Sequence, residues 1–212
     1  SILCLSLVLG AASIQAEKIY LSGKGPEDAK LWDFKVSAGR KAGEWHKIPV
    51  PSNWELHGFG FYDFGFRQPE GKHNESGLYR TTFTIPEEYA DDHYIRLVFE
   101  GSMTMTSVRI DGKLIGEPNQ GGYNRFFYPL VTPVHKEAAI GKELVMEVEV
   151  AELPTNESVD TAERQADWWV FGGIYRPVYL EILPLIFIDR MAIDADYEGN
   201  MKVEVFTQMH NS

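Results

Sequence analysis

The sequence predicts an all-β protein built as an antiparallel β-sandwich. Eight or so short segments alternate apolar and polar residues, Gly and Pro residues separate these segments, and no long segment has the period of a helix. The 212 residues, 44% of them hydrophobic, suffice for one well-buried domain and part of another.

Four segments predict individual strands of this sandwich. Residues 79–85 alternate and end at Pro86, and residues 94–100 predict the next strand. Asp111-Gly112 separates two short apolar segments and suits the positive φ angles of a tight hairpin turn. In residues 144–150 the alternation places Val and Met inward and Glu outward. These features predict a hairpin and at least three strands with one buried face.

Residues 167–180 form the most informative stretch, with the sequence Asp-Trp-Trp-Val-Phe-Gly-Gly-Ile-Tyr-Arg-Pro-Val-Tyr-Leu. Its alternation predicts a strand that the chain enters through a bend at Gly172-Gly173. The residues expected on one face of this strand are Ile174, Arg176, Val178, Leu180 and Ile182. The aromatic residues before the bend then lie at the mouth of the strand.

Asp167, Trp168 and Trp169 are the candidate substrate-binding residues. Indole rings stack on the apolar face of a pyranose, and a carboxylate accepts hydrogen bonds from sugar hydroxyl groups. A packing role for both tryptophans in the core stays open, because large aromatic side chains mostly serve packing. Asp167 has its own alternatives, namely capping a turn or pairing with Arg164 or Arg176.

Several ordered motifs along the chain resemble one protein family. They are Val-Pro-Ser-Asn-Trp at 50–54, Gly-Leu-Tyr-Arg-Thr-Thr-Phe at 77–83, Val-Phe-Glu-Gly at 98–101, Val-Arg-Ile-Asp-Gly-Lys at 108–113, Gly-Gly-Tyr at 121–123 and the stretch from Trp168. Together, over residues 44–183, they resemble the N-terminal sugar-binding domain of glycoside hydrolase family two, the beta-galactosidase and beta-glucuronidase group.

The resemblance implies a specific domain organisation. Residues 17–184 would form a jelly roll, which is a galactose-binding-like version of the antiparallel sandwich. Residues 185–212 would begin an immunoglobulin-like sandwich that needs more strands than they supply. The implied partners are a carbohydrate substrate, the remainder of that second sandwich and a catalytic barrel.

The resemblance also implies how such an enzyme works. Its members are retaining glycosidases whose two catalytic glutamates lie in the barrel, hence beyond residue 212, so no catalytic residue is assigned within this chain. An acid in the position of Asp167 contacts the sugar in related beta-galactosidases and sometimes a sodium ion; no other cofactor is expected. The loop after Ser-Asn-Trp carries a sugar-contacting residue in the family, and here it offers Tyr62, Asp63 and Phe64.

Residues 1–16 read as a secretory signal peptide. The apolar run from Ile2 to Ile14 is too short to span a bilayer and contains small residues toward its end. Cleavage after Ala16 would leave Glu17 as the first mature residue, so we expect a secreted or periplasmic protein. The single cysteine, Cys4, lies inside this segment, and the mature part therefore contains no disulfide.

Charge and residue spacing argue against other classes of function. The formal net charge of −11 disfavours nucleic acid and anionic membranes as partners, because both require clustered Lys and Arg. The six histidines lack metal-ligand spacing. Two alternatives to an enzyme stay open, namely a stand-alone carbohydrate-binding module and a purely structural interaction domain, since a fold does not determine a function.

Overall fold

The computed structural model describes residues 16–65, 73–90, 92–131 and 140–209 of the chain. Within them the structure is mostly strand, with one α-helix, α1 (Glu157–Arg164). The strands are β1 (Glu17–Tyr20), β2 (Lys30–Val36), β3 (His46–Val50), β4 (Asp63–Phe64), β5 (Ser76–Thr84), β6 (His93–Phe99), β7 (Met105–Ile110), β8 (Lys113–Leu114), β9 (Asn119–Gln120), β10 (Phe126–Val131), β11 (Glu143–Ala151), β12 (Trp169–Val170), β13 (Val178–Pro184), β14 (Ile186–Ala195) and β15 (Met201–Met209).

Two antiparallel sheets form the body of the protein, which confirms the predicted all-β jelly-roll sandwich. One sheet has the order β1-β13-β6-β10, and the other has the order β3-β2-β5-β11-β7-β8, with β9 paired to β7. Neighbours in each sheet are mostly distant in sequence, as the long connections of a jelly roll require. In the described residues no helix is long and apolar enough to cross a membrane. Residues 1–15, most of the predicted signal peptide, lie outside the described residues.

Strand β11 shows how residue alternation produces the core. It pairs with β5 on one side and with β7 on the other. Met146, Val148 and Val150 are fully buried between the sheets, whereas Glu149 is exposed, as predicted. Burying such a side chain contributes about 1.5–3 kcal/mol, so the register of this strand is strongly determined.

Aromatic side chains fill one end of the core. The Phe34 ring packs between Trp54 and Tyr79, with centroids 6.0 Å and 4.7 Å away. All three side chains are at most 1% exposed. Trp54 follows the Pro-containing edge strand β3, and its buried indole anchors the Ser-Asn-Trp segment to the core.

Two local predictions have different outcomes. The turn at Asp111 and Gly112 is confirmed, with φ angles of 48° and 77° between β7 and β8. The strand predicted from Ile174 is wrong at its start, because β13 begins only at Val178. The backbone of Ile174 instead accepts a hydrogen bond from the Ser52 amide, and Arg176 is exposed while Ile174 is buried.

The last two strands form a separate two-stranded sheet, β14-β15. The two strands form an antiparallel hairpin. Its base contacts the sandwich through stacking of Phe187 on Tyr94, with ring centroids 5.7 Å apart, and through Asp189, which lies 3.8 Å from Arg96. The assignment of this hairpin to an immunoglobulin-like sandwich stays a prediction.

Candidate functional site

The two tryptophans lie on an irregular segment at one end of the sandwich. Strand β12 pairs with β4, which places Trp169 opposite Phe64 and Val170 opposite Asp63. The Gly65 amide donates to the carbonyl of Trp168 over 2.9 Å. Two connections, one from each half of the chain, therefore form one small ladder outside the main sheets.

Both tryptophan side chains reach the surface. Trp168 is 43% exposed and Trp169 is 49% exposed, so the alternative in which both fill the core is wrong. The Trp169 ring meets Tyr62 and Phe64 edge to face, at centroid distances of 5.5 Å and 5.4 Å. These rings hold Trp169 in place from one side and leave the remaining surface open to a ligand.

A cavity of about 110 Å³ lies beside the tryptophans. Residues 168–171 line it, together with Asn53, Met103, Tyr123, Arg164 and Tyr175. Asn53 and Tyr123 belong to motifs that the sequence already singles out, whereas nothing in the local sequence marks Met103. We call the tryptophans and this cavity the aromatic mouth.

Asp167 lies next to the aromatic mouth and is exposed. Its carboxylate forms no hydrogen bond or ion pair with any described residue, so the alternative in which Asp167 caps a turn is not seen among them. The alternative ion pairs are not seen either: Arg164 binds Glu152, and Cζ of Arg176 lies 5.0 Å from the centroid of the Tyr175 ring. A role of Asp167 in sugar binding stays a prediction.

The candidates from the loop after Ser-Asn-Trp differ in exposure. Tyr62 is 40% exposed. Asp63 is only 3% exposed, and its carboxylate accepts a hydrogen bond from the His73 amide over 2.9 Å. Asp63 therefore holds the loop, whereas Tyr62 and Phe64 both contact the Trp169 ring of the aromatic mouth.

A sodium ion at Asp167 stays a prediction. Among the described residues no three His, Cys, Asp or Glu side chains lie close enough together to hold a metal ion. A hard cation needs several oxygen ligands, of which Asp167 supplies one carboxylate. No chemical step is assigned to the ion.

Buried polar side chains hold the backbone beneath the aromatic mouth. The Gly172 amide donates to Glu55 Oε1 over 2.7 Å, and the Gly172 carbonyl accepts from Asn53 Nδ2 over 2.9 Å. The neighbouring Phe171 carbonyl accepts from Arg164 Nη1 over 2.9 Å. A side chain at position 172 would overlap the Trp54 indole, with an added Cβ only 2.0 Å from Cζ2. This close approach explains why glycine stands there.

The same layer contains more carboxyl groups than cations. Glu55, Glu75 and Glu152 are each at most 2% exposed. Burial raises the pKa of Glu55 to about 8, and the negative charge of Glu75 adds to this effect. Burial also raises the pKa of Glu75 and of Glu152. At Glu152 the Arg164 guanidinium, 2.7 Å away, opposes the rise, and because this direct contact with a cation stabilises the carboxylate we treat the two as an ion pair. At neutral pH Glu55 therefore carries its proton.

Several known proteins have sequences similar to that of this chain. A profile of the sugar binding domain of glycosyl hydrolases family 2 matches residues 36–184. A beta-galactosidase of Vibrio cholerae is 32% identical over 185 residues, which is 81% of this chain and 16% of that protein. A beta-galactosidase of Pseudoalteromonas haloplanktis is 27% identical over 205 residues, covering 87% of this chain and 18% of that protein. The chain thus spans about a sixth of the length of these relatives.

Solved structures show the same fold at lower identity. A family 2 beta-galacturonidase from Eisenbergiella tayi, bound to galacturonate, superposes with a TM-score of 0.57 at 24% identity, over 90% of this chain and 29% of that one. A beta-glucuronidase from Ruminococcus gnavus in complex with D-glucuronic acid gives a TM-score of 0.61 at 19% identity, over 91% and 34%. The chain therefore belongs to glycosyl hydrolase family 2, whose sugar binding domain it contains in residues 36–184.

Proposed function

We propose that this chain is the N-terminal part of a retaining glycoside hydrolase that releases a terminal β-linked sugar, with galactose as the first candidate. The relatives named beta-galactosidases support the reaction and the sugar. Retaining hydrolysis needs two carboxyl groups about 5 Å apart that both reach the glycosidic bond. The carboxyl groups that cluster here are buried, so both catalytic glutamates belong to the remainder of the enzyme.

The observation that carries this proposal is the exposed aromatic mouth. Trp168 and Trp169 stack on the sugar, and Asp167, which has no partner among the described residues, accepts hydrogen bonds from sugar hydroxyl groups. The cavity beside them is small, so this domain supplies one wall of the substrate pocket. The catalytic barrel supplies the other wall and the two glutamates.

Sugar binding by the full chain tests the role of the tryptophans. Titration with methyl β-galactoside, followed by calorimetry, should show that Trp169→Ala weakens binding by more than about 1 kcal/mol, roughly fivefold. Trp45→Ala is the matched control, because Trp45 is 41% exposed and lies beside Lys35 and Arg80, away from the mouth. Equal losses in the two variants would contradict the assignment.

A stand-alone carbohydrate-binding module is the second candidate function. The exposed pair of tryptophans favours it, because a binding module needs such a platform and no catalytic barrel. Reading the gene past the codon for Ser212 separates the two. An enzyme requires further coding sequence with two separated glutamates, and a stop codon there would leave only the binding module.

We also propose that the protein is secreted or periplasmic. The support is the apolar run from Ile2 to Ile14 and the small residues toward its end. N-terminal sequencing of the protein from its native host should find Glu17 as the first residue. Recovery of the uncleaved protein from the cytoplasm would contradict this proposal.

A further inference from the structure

The Gly121-Gly122-Tyr123 loop brings a tyrosine to the aromatic mouth. Tyr123 lies between β9 and β10 and lines the same cavity as Trp168 and Trp169. It is 48% exposed, and its hydroxyl group forms no hydrogen bond with any described residue. An exposed tyrosine presents an apolar ring and a polar tip, which match the C–H face and the hydroxyl groups of a sugar. Tyr123 is therefore placed to contact a ligand of the mouth.

The backbone next to Tyr123 is held on both sides of one residue, Gly122. The Gly122 amide donates to Glu163 Oε2 over 2.7 Å, and the Gly122 carbonyl accepts from the Tyr175 hydroxyl over 2.8 Å. A Cβ added at Gly122 would lie only 2.8 Å from Cγ of Met103, so glycine permits this close approach. The position of Tyr123 thus depends on two side chains that are distant in sequence.

Helix α1 connects this loop to the segment that carries the tryptophans. At the start of the helix, the Asn156 amide donates to Oε1 of Gln120, just before the loop, over 2.8 Å. At its end, Glu163 binds Gly122, and the next residue, Arg164, binds the backbone of the tryptophan segment. Two consecutive side chains of one short helix therefore hold both segments that line the mouth.

We propose that Tyr123 is a further sugar-contacting residue of the aromatic mouth and that Glu163 is the positioning residue that holds it there. The sugar contact rests on the proposed function. The Tyr123 ring covers part of the apolar surface of the sugar, in addition to the part that the tryptophans cover. Glu163 acts through the loop, because its carboxylate accepts from the Gly122 amide.

Calorimetric titration of the full chain with methyl β-galactoside tests the sugar contact. Tyr123→Ala should weaken binding about fivefold, whereas Tyr123→Phe, which keeps the ring, should bind within about twofold of the wild type. Tyr197→Ala is the matched control, because Tyr197 is 97% exposed in the turn between β14 and β15. It should bind like the wild type.

The outcomes separate this inference from the proposed function. Tyr123→Ala may bind as tightly as the wild type while Trp169→Ala binds more weakly; that result would overturn the sugar contact of Tyr123 and leave the proposed function intact. A wild type that binds no methyl β-galactoside would contradict the proposed function, and the contact of Tyr123 with it.

The same titration tests whether Glu163 acts through Tyr123. Glu163→Ala removes the acceptor of the Gly122 amide and should weaken binding about threefold, whereas Glu163→Gln keeps an accepting oxygen and should restore the affinity. The double variant Glu163→Ala, Tyr123→Ala should bind no more weakly than Tyr123→Ala alone. Additive losses would overturn the positioning role. Glu157→Ala, at the exposed start of the same helix, is the control and should bind like the wild type.

Nuclear magnetic resonance of the labelled full chain tests the positioning role without any sugar. In Glu163→Ala the Gly122 amide signal and the ring signals of Tyr123 should move together, and Glu163→Gln should move both less. Ring signals that stay constant while the Gly122 amide moves would overturn the role of Glu163. If Glu163→Ala does not fold, Tyr175→Phe makes the same test, because it removes the donor to the Gly122 carbonyl and keeps the ring.

Discussion

Two regions of the molecule contain the same kind of ion pair in opposite surroundings. Arg164 and Glu152 lie 2.7 Å apart, and Arg80 and Glu147 lie 2.8 Å apart. The first two side chains are each 2% exposed, whereas the second two are 45% and 25% exposed. Because solvent screens the second pair, removing one partner costs far less free energy there than in the buried pair, although the distances are nearly the same.

The two ion pairs stabilise different parts of the protein. The exposed pair joins β5 to β11 across a sheet that apolar residues already hold together. The buried pair lies below the aromatic mouth, where Arg164 also binds the backbone of the segment carrying the tryptophans. Removal of one partner therefore matters far more beneath the mouth than on the outer face of the sheet.

The largest effect is expected for Arg164→Met. This change leaves Glu152 buried without its cation and removes the donor to the Phe171 carbonyl, so the free energy of unfolding should fall by about 3–5 kcal/mol. Urea unfolding of the full chain followed by circular dichroism measures it. The double variant Arg164→Met, Glu152→Gln leaves neither charge and should recover part of the loss; a double variant no more stable than the single one would contradict this account.

The second-largest effect is expected in the pH dependence of stability, which reports on the buried carboxyl groups. The folded chain holds a proton on Glu55 that the unfolded chain releases above pH 4.5, so the free energy of unfolding should fall as the pH rises from 4.5 to about 8 and then level off. Glu55→Gln removes this contribution and should stabilise the protein at pH 7.5 by up to about 4 kcal/mol, at roughly 1.4 kcal/mol for each pH unit above 4.5.

Urea unfolding of both proteins at several pH values checks this prediction. At pH 4 the two should have similar stability, because Glu55 is then protonated in the folded and in the unfolded state. The variant retains a smaller slope with pH, since Glu75 and Glu152 also have raised pKa values. A variant less stable than the wild type at every pH would contradict the prediction.

A smaller effect is expected at the start of the helix that carries Arg164. The side chain of Asn156 caps α1 by accepting from the Ser158 and Val159 amides over 3.0 Å and 3.2 Å. Asn156→Ala should lower the free energy of unfolding by about 1 kcal/mol, because two amides lose their partner. Thermal unfolding measures it, and Asn156→Asp, which keeps an accepting oxygen, should retain most of the stability.

The smallest effect is expected for Arg80→Met on the outer face. Its pair with Glu147 is partly solvated, so the loss should stay below about 1 kcal/mol. The same urea titration measures it, and 1 M NaCl should reduce the difference further because salt screens exposed charges. A loss as large as that of Arg164→Met would remove the distinction between the two regions.

Local chemistry explains which parts of the fold are predictable from sequence. Asp111-Gly112 forms the expected turn, because its φ angles depend only on these two residues. The alternation from residue 144 to 150 places side chains correctly, since a strand has a period of two residues whatever its neighbours are. The strand start at Ile174 is not predictable in this way, because Ser52, far away in sequence, takes the hydrogen bond that a strand would use.

The sequence predicts the kind of site and some of its residues, but not all of them. The Asp-Trp-Trp sequence indicates the place, and the resemblance indicates the family. The roles of Glu55 and Arg164 could not be predicted, because a glutamate in a single turn and an arginine at the end of an eight-residue helix are usually solvated. Both are buried here, since the ends of several connections close over them.

The sequence by itself determined the all-β class, the hairpin turn, the buried face of β11 and the family, because these depend on residue types at short spacing. Only the tertiary structure decided that the two tryptophans face outward, that Asp167 has no partner among the described residues, and that Glu55 is buried beneath Gly172. Exposure and pKa depend on which distant segments pack around a side chain, and no local pattern contains that information.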